Sequence, residues 1–176
     1  MWAFRRHFPQ DCTIISIQAP IKDPIGGNSW WLIDNQKPLK NNAQKAAKIL
    51  DTYITKLLEY YALTPSQIFA CGFSQGAATI ASLAQLQKRK FNACILLAGF
   101  VPELSTSIEN EQDISLPPFL IGHGSKDEVV TLERAKRGAH YLEENGSKVT
   151  FVTDEVGHKV GPKTLKTLKN WLEQQR

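Results

Sequence analysis

The chain has 176 residues, of which 42% are apolar and 22% charged, a composition that excludes disorder, a collagen-like repeat and a disulfide-dense mini-domain. The length predicts a single domain over residues 1–176, and no apolar run approaches the roughly 20 residues of a membrane-spanning helix, so we expect no stable membrane insertion. The net charge of +4 is weak, and we predict no nucleic-acid partner. The densest basic series falls on one face of a predicted C-terminal helix, where we interpret it as solvated surface: Lys159, Lys163, Lys166 and Lys169.

The first half of the chain predicts two strands and two helices. Thr13–Gln18 is a short β-branched apolar run and predicts a strand. Asn41–Ala62 carries apolar side chains three or four residues apart, as an amphipathic helix does, and Pro65 follows it. Gln67–Cys71 is a second strand-like run, and Ala77–Gln87, rich in Ala and Leu, predicts the next helix.

The second half repeats this alternation. Predicted strands separated by helices indicate an α/β fold with a doubly wound, mostly parallel sheet that helices cover on both faces. In such sheets ligands bind beyond the carboxyl ends of the strands, so functional residues are expected directly after each strand. Gly146 and Pro162 fit a helix C-terminus and a first helical position. The predicted strands are Ala93–Ala98, Pro118–Ile121 and Lys148–Thr153, and the predicted helices are Val129–Asn145 and Pro162–Gln174.

The three cysteines indicate a reducing environment. Cys12, Cys71 and Cys94 lie in or beside apolar runs, and three cysteines cannot all pair within one chain. Small buried thiols of this kind are typical of cytosolic proteins. Because residues 1–10 also lack the apolar stretch of a secretory signal, we expect a cytoplasmic protein.

The most informative motif is a G-x-S-x-G at residues 72–76, with Ser74 at its centre. It follows a predicted strand and precedes a predicted helix, which is the setting of a nucleophile elbow. Such a turn is so tight that side chains in place of Gly72 and Gly76 are expected to collide with the neighbouring strand and helix. It presents the Ser74 hydroxyl at the sheet edge and directs the Gln75 backbone N–H toward developing negative charge. The alternative is a tight turn with an incidental serine.

A nucleophilic serine needs a base and an acid, and both follow later predicted strands in the order Ser, acid, His. His158 is expected to take the proton of Ser74, while Asp127 orients the imidazole. Taken singly, Asp127 could equally be the N-cap of the helix that begins near Val129, and His158 could be a surface-loop histidine. The joint order of the three residues favours a catalytic triad.

The other histidines compete weakly with His158. His123 ends a predicted strand, where we interpret it as structural, and His7 and His140 lie in polar helical contexts. A metal site formed by His123, Asp127 and His158 is conceivable, but this spacing matches no ligand pattern. We therefore predict neither a metal nor a cofactor.

Several stretches together resemble the phospholipase/carboxylesterase branch of the α/β-hydrolases, which includes bacterial carboxylesterases and acyl-protein thioesterases. They are ALTPSQIFACGFSQGAA, GHGSKDEVV and VGHKVG, and QAPIKDPIGGNSWWLID is similar to the family in its A-P, G-G and W-W pairs. The resemblance runs from about residue 1 to the C-terminus. It implies that Ser74, Asp127 and His158 are the triad and that Gln75 is one oxyanion donor. One departure is Ala77, where the family usually has Gly.

A larger departure concerns the start of the family pattern. Family chains carry an H-G-x-G loop after their third strand, which brings a second oxyanion N–H, and nothing like it precedes Thr13. Met1–Pro9 resembles the helix after that loop, so we expect an N-terminally incomplete α/β-hydrolase domain. Without the family's third strand, its neighbours Thr13–Gln18 and Gln67–Cys71 stand roughly 9.6 Å apart. Either Thr13–Gln18 shifts into the vacant position, or the sheet pairs with a second copy, or more residues lie upstream.

We therefore predict a serine hydrolase that cleaves carboxylic esters or thioesters through an acyl-Ser74 intermediate. The insertion at Gly99–Leu116 is too short for a lid domain, which favours an open groove and short or medium acyl chains. Trp30 and Trp31 are candidates for the mouth of this groove, although such a pair is as often plain packing. Two alternatives are a weak hydrolase that lacks half of the oxyanion hole and a non-enzymatic protein that self-associates, for example as a homodimer, through a sheet edge.

Overall fold

A computed structural model describes residues 2–33, 42–86, 89–103 and 115–176, and in these ranges strands alternate with helices. The chain begins with a 3₁₀ helix (Trp2–His7) and a short antiparallel pair, β1 (Ile21–Lys22) and β2 (Asn28–Ser29). The elements that follow, in chain order, are α1 (Asn42–Tyr60), β3 (Phe69–Phe73), α2 (Gln75–Gln85), β4 (Ala93–Leu97), β5 (Phe119–Gly124), α3 (Leu132–Glu144), β6 (Val149–Asp154) and α4 (Pro162–Glu173).

The main sheet has four parallel strands in the order β3-β4-β5-β6. The two interior strands, β4 and β5, are buried at every residue. They are buried because each has a strand on both sides and helices over both faces. This arrangement confirms the predicted α/β class, and the predicted strands from residue 67 onward lie within three residues of the observed bounds.

The core has two layers, one on each face of the sheet. Successive residues of a strand point to opposite faces, so Leu96 of β4 packs with Leu50 of α1 and Leu83 of α2. The neighbouring residue, Leu97, packs on the other face with Leu168 of α4. Helices therefore cover both faces, as the apolar character of the strands predicts.

The predicted strand at Thr13–Gln18 is wrong. Residues 13–19 have no regular secondary structure, and the described part of the chain pairs no strand with β3 except β4. Thr13–Gln18 instead lines, with Tyr53 and Leu57 of α1, a largely apolar cavity of about 910 Å³. A β-branched apolar run becomes a strand only where a ladder partner and a packing surface meet it, and none of the described strands pairs with this segment.

Strand β3 consequently forms an edge of the sheet. The N–H of Ser74 donates to the carbonyl oxygen of Leu97 at 2.9 Å, and Ile68 accepts from Asn92 at 2.8 Å, so alternate peptide groups of β3 face β4. The others face the open side, where no described strand meets them. They are the groups of Phe69, Cys71 and Phe73.

Both predicted helix-end signals in the second half are confirmed. Gly146 follows α3 with φ of +83°, and its N–H donates to Glu143 while the N–H of Ser147 donates to Leu142, both at 3.0 Å. This pair of bonds is a Schellman motif, in which glycine adopts the left-handed conformation without strain. Pro162 is the first residue of α4, as expected from its fixed φ.

The three cysteines form no disulfide with one another. Cys12, Cys71 and Cys94 are all free thiols, of which Cys94 is buried and the other two are half-buried. Burial raises the pKa of Cys71 to about 12, so this thiol stays protonated at neutral pH.

Among the described residues no helix is long and apolar enough to cross a membrane.

Candidate active site

Ser74 occupies the single residue between the end of β3 and the start of α2. Its backbone has φ of +52° and ψ of −117°, a conformation that a residue with a Cβ adopts only under strain, at a cost of about 1–3 kcal/mol. The turn places Ser74 at the carboxyl edge of the parallel sheet. Its hydroxyl makes no capping bond to α2 and is available for another partner.

The two glycines of the motif differ in what they allow. A Cβ on Gly72 would lie 2.4 Å from the backbone carbon of Gly76, so this position requires glycine. A Cβ on Gly76 would meet nothing closer than the indole nitrogen of Trp30 at 3.8 Å. The expected collision is therefore confirmed at Gly72 and wrong at Gly76. Ala77 fits because residue 99 is glycine. A Cβ added to Gly99 would lie 2.4 Å from the Cβ of Ala77.

Three side chains from three different strand ends meet at this edge. His158 Nε2 lies 3.1 Å from Ser74 Oγ, and His158 Nδ1 lies 2.8 Å from Asp127 Oδ2. Since Nδ1 donates to the carboxylate, Nε2 has a free lone pair that accepts from the serine hydroxyl. The ring of Phe73 packs against the imidazole with centroids 5.0 Å apart. The predicted trio is thus in hydrogen-bond contact in the order that a nucleophile, a base and an orienting acid require.

Asp127 is buried and fully hydrogen-bonded. Its Oδ1 accepts the backbone N–H groups of Val129 and Val130, both at 2.9 Å. Burial by itself would raise the pKa of this carboxyl group, but the bonds from Val130, His158 and Val129 outweigh it and hold the pKa below its ordinary value. The N-cap alternative for Asp127 is wrong, because the N-cap of α3 is Thr131.

The loops that carry Asp127 and His158 are bonded to each other. The N–H of Ser125 donates to Asp154 at 2.8 Å, and that of Lys126 donates to Val156 at 3.0 Å. A Cβ on Gly124 would lie 2.2 Å from the carbonyl oxygen of Gly157. The two loops therefore pack backbone against backbone, which fixes the distance between the acid and the base.

Asp154 is a buried carboxylate that sequence reasoning did not single out. It lies at the end of β6, where Oδ1 accepts from the N–H of Lys163 and Oδ2 from the N–H and hydroxyl of Thr164. Burial raises its pKa, and these bonds lower it further than burial raises it, so the net shift is downward. Asp154 thus caps α4 from outside the helix. The sequence feature that could have indicated this role is an aspartate at the end of a strand, a few residues ahead of Gly161-Pro162.

Gln75 has two separate roles in this geometry. Its backbone N–H is the first of α2, and no acceptor is found for it within the described ranges, as is usual for the first N–H groups of a helix. Its side chain turns away: Oε1 accepts from the N–H of Trp30 at 3.0 Å, and Nε2 donates to the carbonyl oxygen of Trp31 at 3.1 Å. The structure therefore brings the two predicted tryptophans beside the elbow. Two hydrogen bonds do this, and their partners are separated in sequence by 45 positions for Trp30 and by 44 positions for Trp31.

The conceivable metal site does not form as a ligand set. Asp127 accepts from His158, and His123 Nε2 is 3.4 Å from Asp127 Oδ2. In the part of the chain that the structure describes, no three His, Cys, Asp or Glu residues are arranged to hold a metal ion. His123 is nevertheless close to Asp127. Its position at the end of a predicted strand did not indicate this proximity.

Comparisons with known proteins show which family and which solved structures the chain is similar to. A model of the Phospholipase/Carboxylesterase family matches residues 10–175. Carboxylesterase SOBER1 of Arabidopsis thaliana is 29% identical over 111 residues, which are 62% of this chain and 49% of that protein. Acyl-protein thioesterase 1 homolog 1 of Dictyostelium discoideum is 26% identical over 130 residues, 73% of this chain and 57% of that one.

The matches cover only part of each relative, and the likeness to solved structures concerns the fold. The chain spans about half the length of the curated relatives it matches. The crystal structure of esterase PE8 superimposes with a TM-score of 0.76 at 23% identity and covers 90% of this chain and 76% of the PE8 chain. At that identity the likeness shows the α/β-hydrolase fold.

Proposed function

We propose that this chain, which belongs to the phospholipase/carboxylesterase family, is a serine hydrolase that cleaves carboxylic esters or thioesters. The observation that carries the proposal is the continuous contact from Ser74 Oγ through His158 to Asp127, at 3.1 Å and 2.8 Å. Carboxylesterases and acyl-protein thioesterases among its relatives support the same reaction class.

The reaction proceeds through an acyl-enzyme. Ser74 Oγ attacks the acyl carbon while His158 Nε2 takes the hydroxyl proton, and the resulting oxyanion collapses to expel the alcohol or thiol, which receives that proton. Water then attacks the acyl-Ser74 ester with His158 again as base, which releases the carboxylic acid. Buried Asp127 stays ionised and stabilises the imidazolium that forms in each step.

The oxyanion is stabilised by the backbone N–H of Gln75 in this proposal. That N–H begins α2, where the helix dipole also favours negative charge. A second candidate is a weak hydrolase in which this donor alone stabilises the oxyanion, because the loss of one oxyanion donor typically lowers turnover about 10²–10³-fold.

The substrate is expected to be a small ester or thioester with a short or medium acyl chain. We expect Trp30 and Trp31, whose backbone groups are bonded to the Gln75 side chain, to contact its acyl or leaving group. Most of the insertion at Gly99–Leu116, on which the expectation of an open groove depends, lies outside the described residues. A series of p-nitrophenyl esters of increasing chain length measures the preference, and a maximum at long chains would contradict it.

A fluorophosphonate probe tests the nucleophile. The expected result is stoichiometric labelling of the native chain, abolished in Ser74→Ala and retained in Ser66→Ala, which alters an exposed serine before β3. Labelling that persists in Ser74→Ala would show that the nucleophile is another residue. Rapid labelling with slow ester turnover would favour the second candidate, and the absence of labelling in the native chain would reject both.

Two further expectations remain predictions. Self-association as a homodimer through the open edge of β3 is checked by light scattering, where a monomer at all concentrations would contradict it. A cytoplasmic location, supported by three free thiols, is checked by fractionation of cells that produce the chain.

A further inference from the structure

His123 is a buried histidine that the proposed reaction does not use. It is the fifth residue of β5, and its side chain is 0% exposed. Its Nε2 lies 2.8 Å from the carbonyl oxygen of Val130 and 3.4 Å from Asp127 Oδ2. It therefore lies beside the orienting carboxylate, near the same oxygen, Oδ2, that His158 contacts.

The contacts of the ring assign its tautomer. A carbonyl oxygen only accepts hydrogen bonds, so Nε2 must bear the hydrogen that joins it to Val130. Nδ1 has no hydrogen-bond partner among the described residues. The separation of 3.4 Å from Asp127 Oδ2 is too long for a strong hydrogen bond. His123 thus leaves that oxygen to His158.

We propose that His123 is a positioning residue for the triad, an inference that rests on the proposed hydrolase function. The chain of bonds is continuous from the sheet to the nucleophile. His123 Nε2–H holds the Val130 carbonyl, and the Val130 N–H holds Asp127 Oδ1 at 2.9 Å. Oδ2 is thereby aimed at His158 Nδ1 at 2.8 Å.

The physical consequence concerns geometry rather than charge. Residues 128–130 form a bend outside any helix, in which Val129 is 67% exposed and Val130 is buried. Without a donor at residue 123, the Val130 carbonyl is buried without this partner, and the bend loses one of its anchors while the Val130 side chain and the N–H bonds to Asp127 remain. A catalytic group displaced by about 1 Å can lower the rate about 100-fold.

The test compares variants that differ in one donor. His123→Gln keeps an amide N–H with reach similar to Nε2, whereas His123→Leu keeps bulk and removes the donor. We expect kcat for a p-nitrophenyl ester to fall about 10–100-fold in His123→Leu with KM unchanged, and to recover to within a few-fold of native in His123→Gln. His140→Gln, which alters a surface histidine paired with Glu144, is the matched control with unchanged kcat.

A second readout separates this inference from the proposed function. In the Ser74→Ala background, the proton between His158 Nδ1 and Asp127 is followed by NMR, and its resonance is expected to shift or broaden with His123→Leu and to remain with His123→Gln. If the native chain hydrolyses no ester, the proposed function fails while this measurement still tests His123. If His123→Leu does not fold, His123→Asn, whose amide is too short to reach Val130, takes its place. A resonance and a kcat that both survive loss of the donor would overturn the inference, as would failure of His123→Gln to restore them.

Discussion

Strand β4 and the segment at Thr13–Gln18 have similar sequences and different structures. ACILL and TIISIQ are both short, apolar and rich in branched side chains, but every residue of β4 is buried in the sheet, whereas Ile15 is 41% exposed in an irregular segment. The difference is the neighbours: β4 has a strand on each side, and Thr13–Gln18 pairs with none among the described residues. Strand propensity is therefore realised by pairing and burial.

The same contrast runs through the candidate site. Ser74, Asp127 and His158 follow β3, β5 and β6, which belong to the paired sheet, and their mutual distances are fixed by the strand register. The region before α1 reaches the site in another way, through the bonds from the Gln75 side chain to Trp30 and Trp31. The geometry of the three candidate catalytic residues thus depends on the sheet, and one glutamine joins the two tryptophans to it.

The largest expected difference is between truncations in the two regions. Leu97→Ala removes a fully buried side chain of β4 and is expected to lower the free energy of unfolding by about 2–5 kcal/mol. Ile15→Ala, a comparable deletion in Thr13–Gln18, is expected to cost less than about 1 kcal/mol because much of that side chain already meets solvent. Urea denaturation of both variants measures the two losses. Equal losses would contradict the distinction between the regions.

A smaller effect is expected at the elbow that joins β3 to α2. Gly72→Ala drives a Cβ into the backbone of Gly76 and is expected to cost about 3 kcal/mol, at the upper end of overpacking, because backbone cannot move aside. Gly76→Ala is the matched control and is expected to be neutral within about 1 kcal/mol, since alanine favours helix over glycine. Thermal unfolding with circular dichroism compares them. If both variants lose the same stability, the steric account of Gly72 is wrong.

The two side-chain bonds from Gln75 to Trp30 and Trp31 join the two regions, and they are expected to contribute less to the free energy of unfolding than Gly72. Gln75→Leu keeps the backbone N–H of residue 75 and removes both side-chain bonds, with an expected loss of about 2 kcal/mol at about 1 kcal/mol for each bond. Gln75→Glu keeps the acceptor for Trp30 and removes the donor to Trp31. Amide exchange at Trp30 is therefore expected to accelerate more in Gln75→Leu than in Gln75→Glu. Unchanged exchange in Gln75→Leu would show that other contacts hold the tryptophans.

The smallest expected effect is on acid stability. The pKa of Asp154 is lowered in the folded chain, so its stabilisation is present above the unfolded pKa, about 3.9, and is lost as the pH falls through the folded value. Asp154→Asn is expected to flatten the loss of stability below about pH 4. Asp11→Asn, at an exposed carboxylate paired with Arg176, is expected to leave that slope unchanged because solvent screens the pair. Equal slopes in the native chain and Asp154→Asn would contradict the assignment.

Local signals predicted much of the paired half of the molecule. Gly146 and Pro162 marked helix ends because their backbone preferences act within one or two residues, and the strand–turn–helix context located Ser74. The contacts that no signal predicted are those between residues far apart in sequence. Gln75 with the tryptophans and Gly99 with Ala77 are examples, since each depends on how separate elements pack.

The sequence by itself determined the alternation of strands and helices, the order of the three candidate catalytic residues and the tight turn that presents Ser74. Periodicity and turn chemistry are properties of neighbouring residues, so they can be identified without a fold. The tertiary structure alone decided that Thr13–Gln18 is not a strand, that Asp127 faces His158 instead of capping α3, that Gly72 and not Gly76 requires glycine, and that His123 lies beside the carboxylate. These outcomes depend on which strands find partners and how loops pack across the sheet edge, and such long-range pairing leaves no trace in local sequence.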